Sequence, residues 1–122
     1  MRFLSMIRID ENSGPQVPSK QLMQDMERLI EAMTREGTLI STAWLRPTAE
    51  GVRIRLRGGK LSVTDGPFTE SKEVIGGYAV LEAPSMKEAI ELTNRFLKTH
   101  GEEWNIECEL RQLDGPEFCL KT

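Results

Sequence analysis

The sequence predicts one α+β domain, a sheet with two helices over one face, and three observations carry that prediction. Strand-like apolar runs alternate with two segments of helical periodicity, in the order β-α-β, hairpin, β-α-β. The 122 residues have room for one core and not for a second autonomous one. Hydrophobic residues, 39% of the chain, recur along its whole length rather than in one patch. The order is ferredoxin-like with an inserted β-hairpin, and the chain 1–122 reads as a single domain. The second face of the sheet is left for solvent or for a partner subunit.

Each element has a local reason. Phe3 to Ile9 is an apolar run that reads as a buried strand, broken by the loop 10–15. Ser19 is an N-cap and Lys20 opens a helix, because Leu22, Met23, Met26, Leu29, Ile30 and Met33 share one helical face. Gly37 follows the last turn, where a left-handed cap is easiest for glycine. Leu39 to Leu45 is a second strand, and Pro47 and Gly51 bracket a turn. Val52, Ile54 and Leu56 alternate with Arg53, Arg55 and Arg57, and Gly58-Gly59 turns that strand back into Leu61–Thr64. Asp65-Gly66-Pro67-Phe68 interrupts, and Val74–Ala83 is the longest strand. Ser85 and Glu88 have capping-box spacing for a helix to Lys98. Its stripe is Met86, Ala89, Ile90, Phe96 and Leu97, with Thr93 in the middle. Trp104 to Leu113 is the last strand, with Trp104, Ile106, Cys108 and Leu110 on one side, before the turn at Asp114-Gly115-Pro116 and a tail.

Charge and composition exclude several functions. A net charge of −3 argues against a protein held to nucleic acid by phosphate neutralisation. No apolar run approaches the ~20 residues of a membrane span, and the first residues are too charged for a signal peptide. Cys108 and Cys119 have neither metal-ligand spacing nor enough companions for a disulfide framework. The expectation is a cytoplasmic chain with reduced thiols, no metal and no cofactor. His100, the single histidine, falls at the end of the second helix, where it caps the last carbonyls and suits the helix dipole.

Two constellations have chemistry in them. The first is the polar run Asp65–Glu73. Its Asp-Gly-Pro is turn chemistry, and the run is a turn unless its charged groups converge. Asp65 or Glu70 would then be a proton acceptor and Lys72 an electrostatic partner. Gly66, Pro67, Phe68 and Glu73 read as structural. Phe68 is expected to be a buried anchor, Asp65 to accept backbone N–H bonds, and Glu70 and Lys72 to remain free. The second constellation is the arginine stripe. It is a solvated face, a structural layer paired with Glu107 and Glu109, or a carboxylate or phosphate anchor through Arg53 and Arg55. Trp44 and Tyr78 are either cavity walls for a flat anion or interface packing. An isolated protomer would expose a sheet face bearing Trp44 and Tyr78.

The run Asp65-Gly66-Pro67-Phe68-Thr69-Glu70-Ser71-Lys72-Glu73, followed by Gly76-Gly77-Tyr78, resembles the signature of the DGPF family of the YCII-related superfamily. Only Thr69 and Ser71 depart from that family's usual Asp-Gly-Pro-Phe-Ala-Glu-Thr-Lys-Glu. The resemblance implies a dimeric α+β barrel, in which two ferredoxin-like sheets face each other across a two-fold axis. It implies small bacterial proteins, some tied to sigma-factor transcription. Two function classes stay open. One is a non-catalytic module for a small anionic ligand or a sigma-factor-linked protein. The other is a lyase or isomerase on a small anionic or aromatic molecule. A histidine-dependent mechanism, known among some relatives, does not carry over to a chain whose one histidine caps a helix.

Overall fold

The computed structural model describes residues 1–11, 18–101 and 104–115. Most of the expected loop after Asp10, the tail 117–122 and Cys119 lie outside the described residues. The element order is β1 (Arg2–Ile9), α1 (Lys20–Glu36), β2 (Leu39–Trp44), a 3-10 turn (Thr48–Glu50), β3 (Val52–Arg57), β4 (Lys60–Asp65), β5 (Val74–Glu82), α2 (Met86–Lys98) and β6 (Glu107–Gln112). Four strands form one sheet in the order β2-β5-β1-β6, with every neighbouring pair antiparallel. Met33 of α1 and Ala89 of α2 pack with Phe3, Leu39, Leu81 and Ala83 in one core cluster. This α+β arrangement is compatible with a ferredoxin-like fold.

The helix ends form for the reasons read from sequence. Ser19 Oγ accepts from Leu22 N at 3.1 Å, and Gly37 closes α1 at φ 80° in the left-handed region. Ser85 Oγ accepts from Glu88 N at 3.3 Å. The stripes are narrower than their periodicity suggests. Met23, Met86 and Ile90 are exposed, at the edges of their helical faces, whereas Thr93 is buried and satisfies its hydroxyl on the Ala89 carbonyl at 2.9 Å. His100 caps α2 as expected, with Nδ1 3.2 Å from the Phe96 carbonyl, and its ring lies edge-on between Phe96 and Trp104.

In the central strand β1, Phe3, Ser5 and Ile7 are buried on the helix face while Leu4, Met6 and Arg8 occupy the open face. Ser5 meets Cys108, whose thiol is pushed up by burial and held back by the Ser5 hydrogen bond. A thiol held protonated by burial is a small, unreactive strand residue.

The structure corrects the sequence in three places. β3 pairs only with β4, as a separate two-stranded sheet, so Val52, Ile54 and Leu56, which strand alternation would turn toward the helices, are exposed instead. Trp44 and Tyr78 do not share a face. Trp44 pairs with Gly77, across from Ile7 on the helix side, and Tyr78 pairs with Met6 on the open side. A side chain at position 77 would meet Trp44 Cε3 at 3.1 Å, so glycine there is what lets the indole lie against the strand. The last strand begins at Glu107, three residues after Trp104, because that indole packs on His100 instead of extending the sheet.

Candidate functional site

The site is built where the β2–β3 connection and the motif loop meet the open end of the sheet. Thr48 is the junction. Its backbone N–H and its hydroxyl both donate to the Glu11 carboxylate, at 2.8 and 2.6 Å. Its hydroxyl oxygen also accepts from Phe68 N at 3.3 Å. Glu11 thus satisfies the first amide of the 3-10 turn, which sequence-local chemistry leaves uncapped, and ties that turn to the end of β1. The motif loop lies directly on the turn. Gly66 N donates to the Gly51 carbonyl at 2.9 Å, and any Cβ at position 66 would collide with the Thr48 carbonyl. Glycine is required here by close approach rather than by a left-handed backbone.

This docking differs from the expected one. Asp65 is exposed at the end of β4 and accepts no backbone N–H among the described residues; Gly66, Phe68 and Thr48 hold the loop instead. Phe68 is only partly buried, because one face of its ring carries the Arg53 guanidinium, 3.9 Å from the centroid. Glu70 is not free, since it forms a close ion pair with Arg53, which also donates to Ser71 Oγ at 2.9 Å. A hydrogen bond from its own backbone and then the Arg53 guanidinium hold the Glu70 carboxyl below its ordinary value. Lys72 is exposed.

Between these segments and the sheet lies an open cavity of about 670 Å³, within the range of small-molecule sites. Met6, Phe68, Val74 and Ile75 give it apolar wall; Arg8, Arg53 and Arg111 bring guanidinium groups to it. Arg8 and Arg111 share one carboxylate, Glu109, at 3.7 and 3.9 Å, both long for an ion pair. Arg46 also lines the cavity but is matched by Glu50 at 2.9 Å. Glu73 is the motif carboxylate that faces the cavity. Among the described residues, no group of three or more His, Cys, Asp and Glu side chains is placed to hold a metal ion.

Of the residues singled out from sequence, the structure brings Arg53, Phe68 and Glu73 to the cavity, with Ser71 beside them. Asp65, Glu70, Lys72, Arg55, Trp44 and Tyr78 stand outside its lining. Tyr78 is near, on the same sheet face, with its hydroxyl 3.5 Å from Ser41 Oγ. The three arginines of β3 do not pair with Glu107 or Glu109, since β3 lies outside the main sheet. Sequence reasoning missed Thr48, Glu11, Arg8 and Arg111. Strict alternation along β1 and β6 would have placed Arg8 and Arg111 on the open face. Nothing local marks Thr48 or Glu11, whose partnership spans 37 residues.

A model of the YCII-related domain matches residues 1–98 of this chain. A Rhizobium meliloti (strain 1021) protein described as uncharacterised is 31% identical over 72 residues, which span 59% of this chain and 58% of the relative. The described helices include none long and apolar enough to cross a membrane.

Proposed function

The chain belongs to the YCII-related domain family, and on that premise we propose that its cavity binds a small anionic molecule. The observation that carries this reading is the pair Arg8 and Arg111, which both lean on the single carboxylate of Glu109 at long distance, while Arg53, held by Glu70, lies over Phe68. A carboxylate or phosphate between them would complete the pairing, and the apolar wall of Met6, Val74 and Ile75 would take the rest of a flat ligand. The run Asp65–Glu73 supports a place in the DGPF branch, and the uncovered sheet face supports association of two copies through it.

Calorimetric titration with benzoate, phenyl phosphate and inorganic phosphate tests the reading. At least one should bind, with Arg53→Met and Arg111→Met each weakening it about tenfold, as loss of one charge-assisted hydrogen bond does. No binding of any of the three at millimolar concentration, or binding indifferent to both substitutions, would sink it.

A further inference from the structure

The β3–β4 hairpin is an arm that the protomer does not use. Its two strands pair from Val52 with Asp65 to Arg57 with Lys60, and Gly58 and Gly59 make the turn at φ 55° and 78°. The register sets Ile54 across from Val63 and Leu56 across from Leu61, so one face of the ribbon is continuous hydrocarbon. That face is bare: Ile54 and Leu56 are both 68% exposed, Leu61 74% and Val63 63%. A two-stranded ribbon is marginal by itself in water, and its stability normally comes from packing one face on something else. No other element of the described chain covers these four side chains.

We propose that the arm docks, apolar face down, on the open sheet face of a second copy of this chain. The inference rests on the facing-copy reading above and assigns the contact that holds it. Three observations choose this occupant. The open face of the main sheet has its own apolar centre, Leu4, Met6, Tyr78 and Val80, with no helix over it. The strands beneath it, of eight and nine residues, are long enough to receive an arm whose strands have six. Charge then separates two ways of covering the arm. Its four cations, Arg53, Arg55, Arg57 and Lys60, against the single Asp65 give it +3, so the remainder of a chain of net −3 carries −6. Arm against arm would set +3 beside +3, whereas the open sheet face balances Glu82, Glu107 and Glu109 against Arg2, Arg8 and Arg111 and sets no like charge against the arm. Reciprocal exchange about a two-fold axis covers both arms and both sheet faces at once.

The test uses the full chain in sedimentation equilibrium, comparing wild type with the double variant Ile54→Glu/Leu61→Glu. Both side chains are exposed in the protomer, so the variant should keep the wild-type circular dichroism and melting temperature under dilute conditions. Its dimer dissociation constant should rise at least 100-fold. Carbodiimide cross-linking of mixed ¹⁵N-labelled and unlabelled protein gives a second readout. Lys60 should join a carboxylate of the last strand in mixed-label pairs. A variant that dimerises as tightly as wild type would overturn arm docking and leave the facing-sheet reading standing, the more so if Met6→Glu dissociates the same dimer. Cross-links from Lys60 to Asp65 of the other copy would mean arm-on-arm packing and overturn it as well. A wild-type chain that stays monomeric at 100-micromolar concentration (on the order of 10⁻⁴ M) would overturn both.

Discussion

The helix face of the main sheet and the β3–β4 arm are written in the same alternating pattern, yet they end in opposite states. Phe3 in β1 is 0% exposed and Leu81 in β5 is 3% exposed, whereas Leu61 on the arm is 74% exposed. The difference is not in propensity, because β-branched and aliphatic residues fill both. It lies in what the topology places above each face. Two amphipathic helices close over β1 and β5, and nothing among the described residues closes over the arm. Alternation therefore tells which side chains share a face, and the neighbouring elements decide whether that face is a core.

Substitution at matched positions sharpens the contrast. Phe3→Ala opens a cavity among Met33, Leu39, Leu81 and Ala89 and should cost about 3–5 kcal/mol in urea unfolding. Ile54→Ala should change stability by less than about 0.5 kcal/mol at concentrations too low for association, as exposed positions do. Equal losses at the two sites would mean that the arm is packed within its own protomer, and the comparison would break.

An intermediate effect is expected at the junction between the two regions. Gly66→Ala drives a methyl into the Thr48 carbonyl and should cost about 3 kcal/mol, while Thr48→Val removes the hydroxyl that joins Glu11 to Phe68 N and should cost about 1–2 kcal/mol. Both should also loosen the cavity, which shows as weaker binding of whichever anion the titrations select. A Gly66→Ala protein as stable as wild type would mean that the motif loop does not rest on the 3-10 turn.

Acid should produce the smallest effect. Glu70 is held below the ordinary carboxyl value of 4.5 by its own backbone hydrogen bond and by Arg53, and Glu36 by its hydrogen bond to Arg95. Folding thus favours the ionised form of each. Their stabilisation is present above pH 4.5 and is lost as pH falls through the lower folded value. Urea midpoints between pH 6 and pH 3 (roughly the span over which carboxyl groups titrate) should decline less steeply in Glu70→Gln than in wild type. An unchanged slope would mean the Arg53 pair contributes nothing in solution, as holds for many exposed ion pairs.

The candidate site was legible only in pieces. Arg53 and Phe68 stood out as a strand cation and the large apolar residue of a polar loop, but their stacking joins two segments whose proximity no local pattern encodes. Asp65 looked like a turn acceptor because it precedes glycine. In the fold that glycine presses on Thr48, and among the described residues the bonds that hold the loop do not involve the Asp65 carboxylate.

The sequence by itself determined the type of each element, the caps at Ser19, Gly37 and Ser85, the Gly58-Gly59 turn and the helix-capping role of His100. All of these depend on backbone preferences and hydrogen bonds within a few residues. Only the tertiary structure decided that β3 leaves the main sheet, that Trp44 and Tyr78 part to opposite faces, and that Thr48, Glu11 and Gly66 meet. Period two specifies a face but not its partner, and a register shift such as that between Leu39 and Ser41 reverses which face a later residue takes.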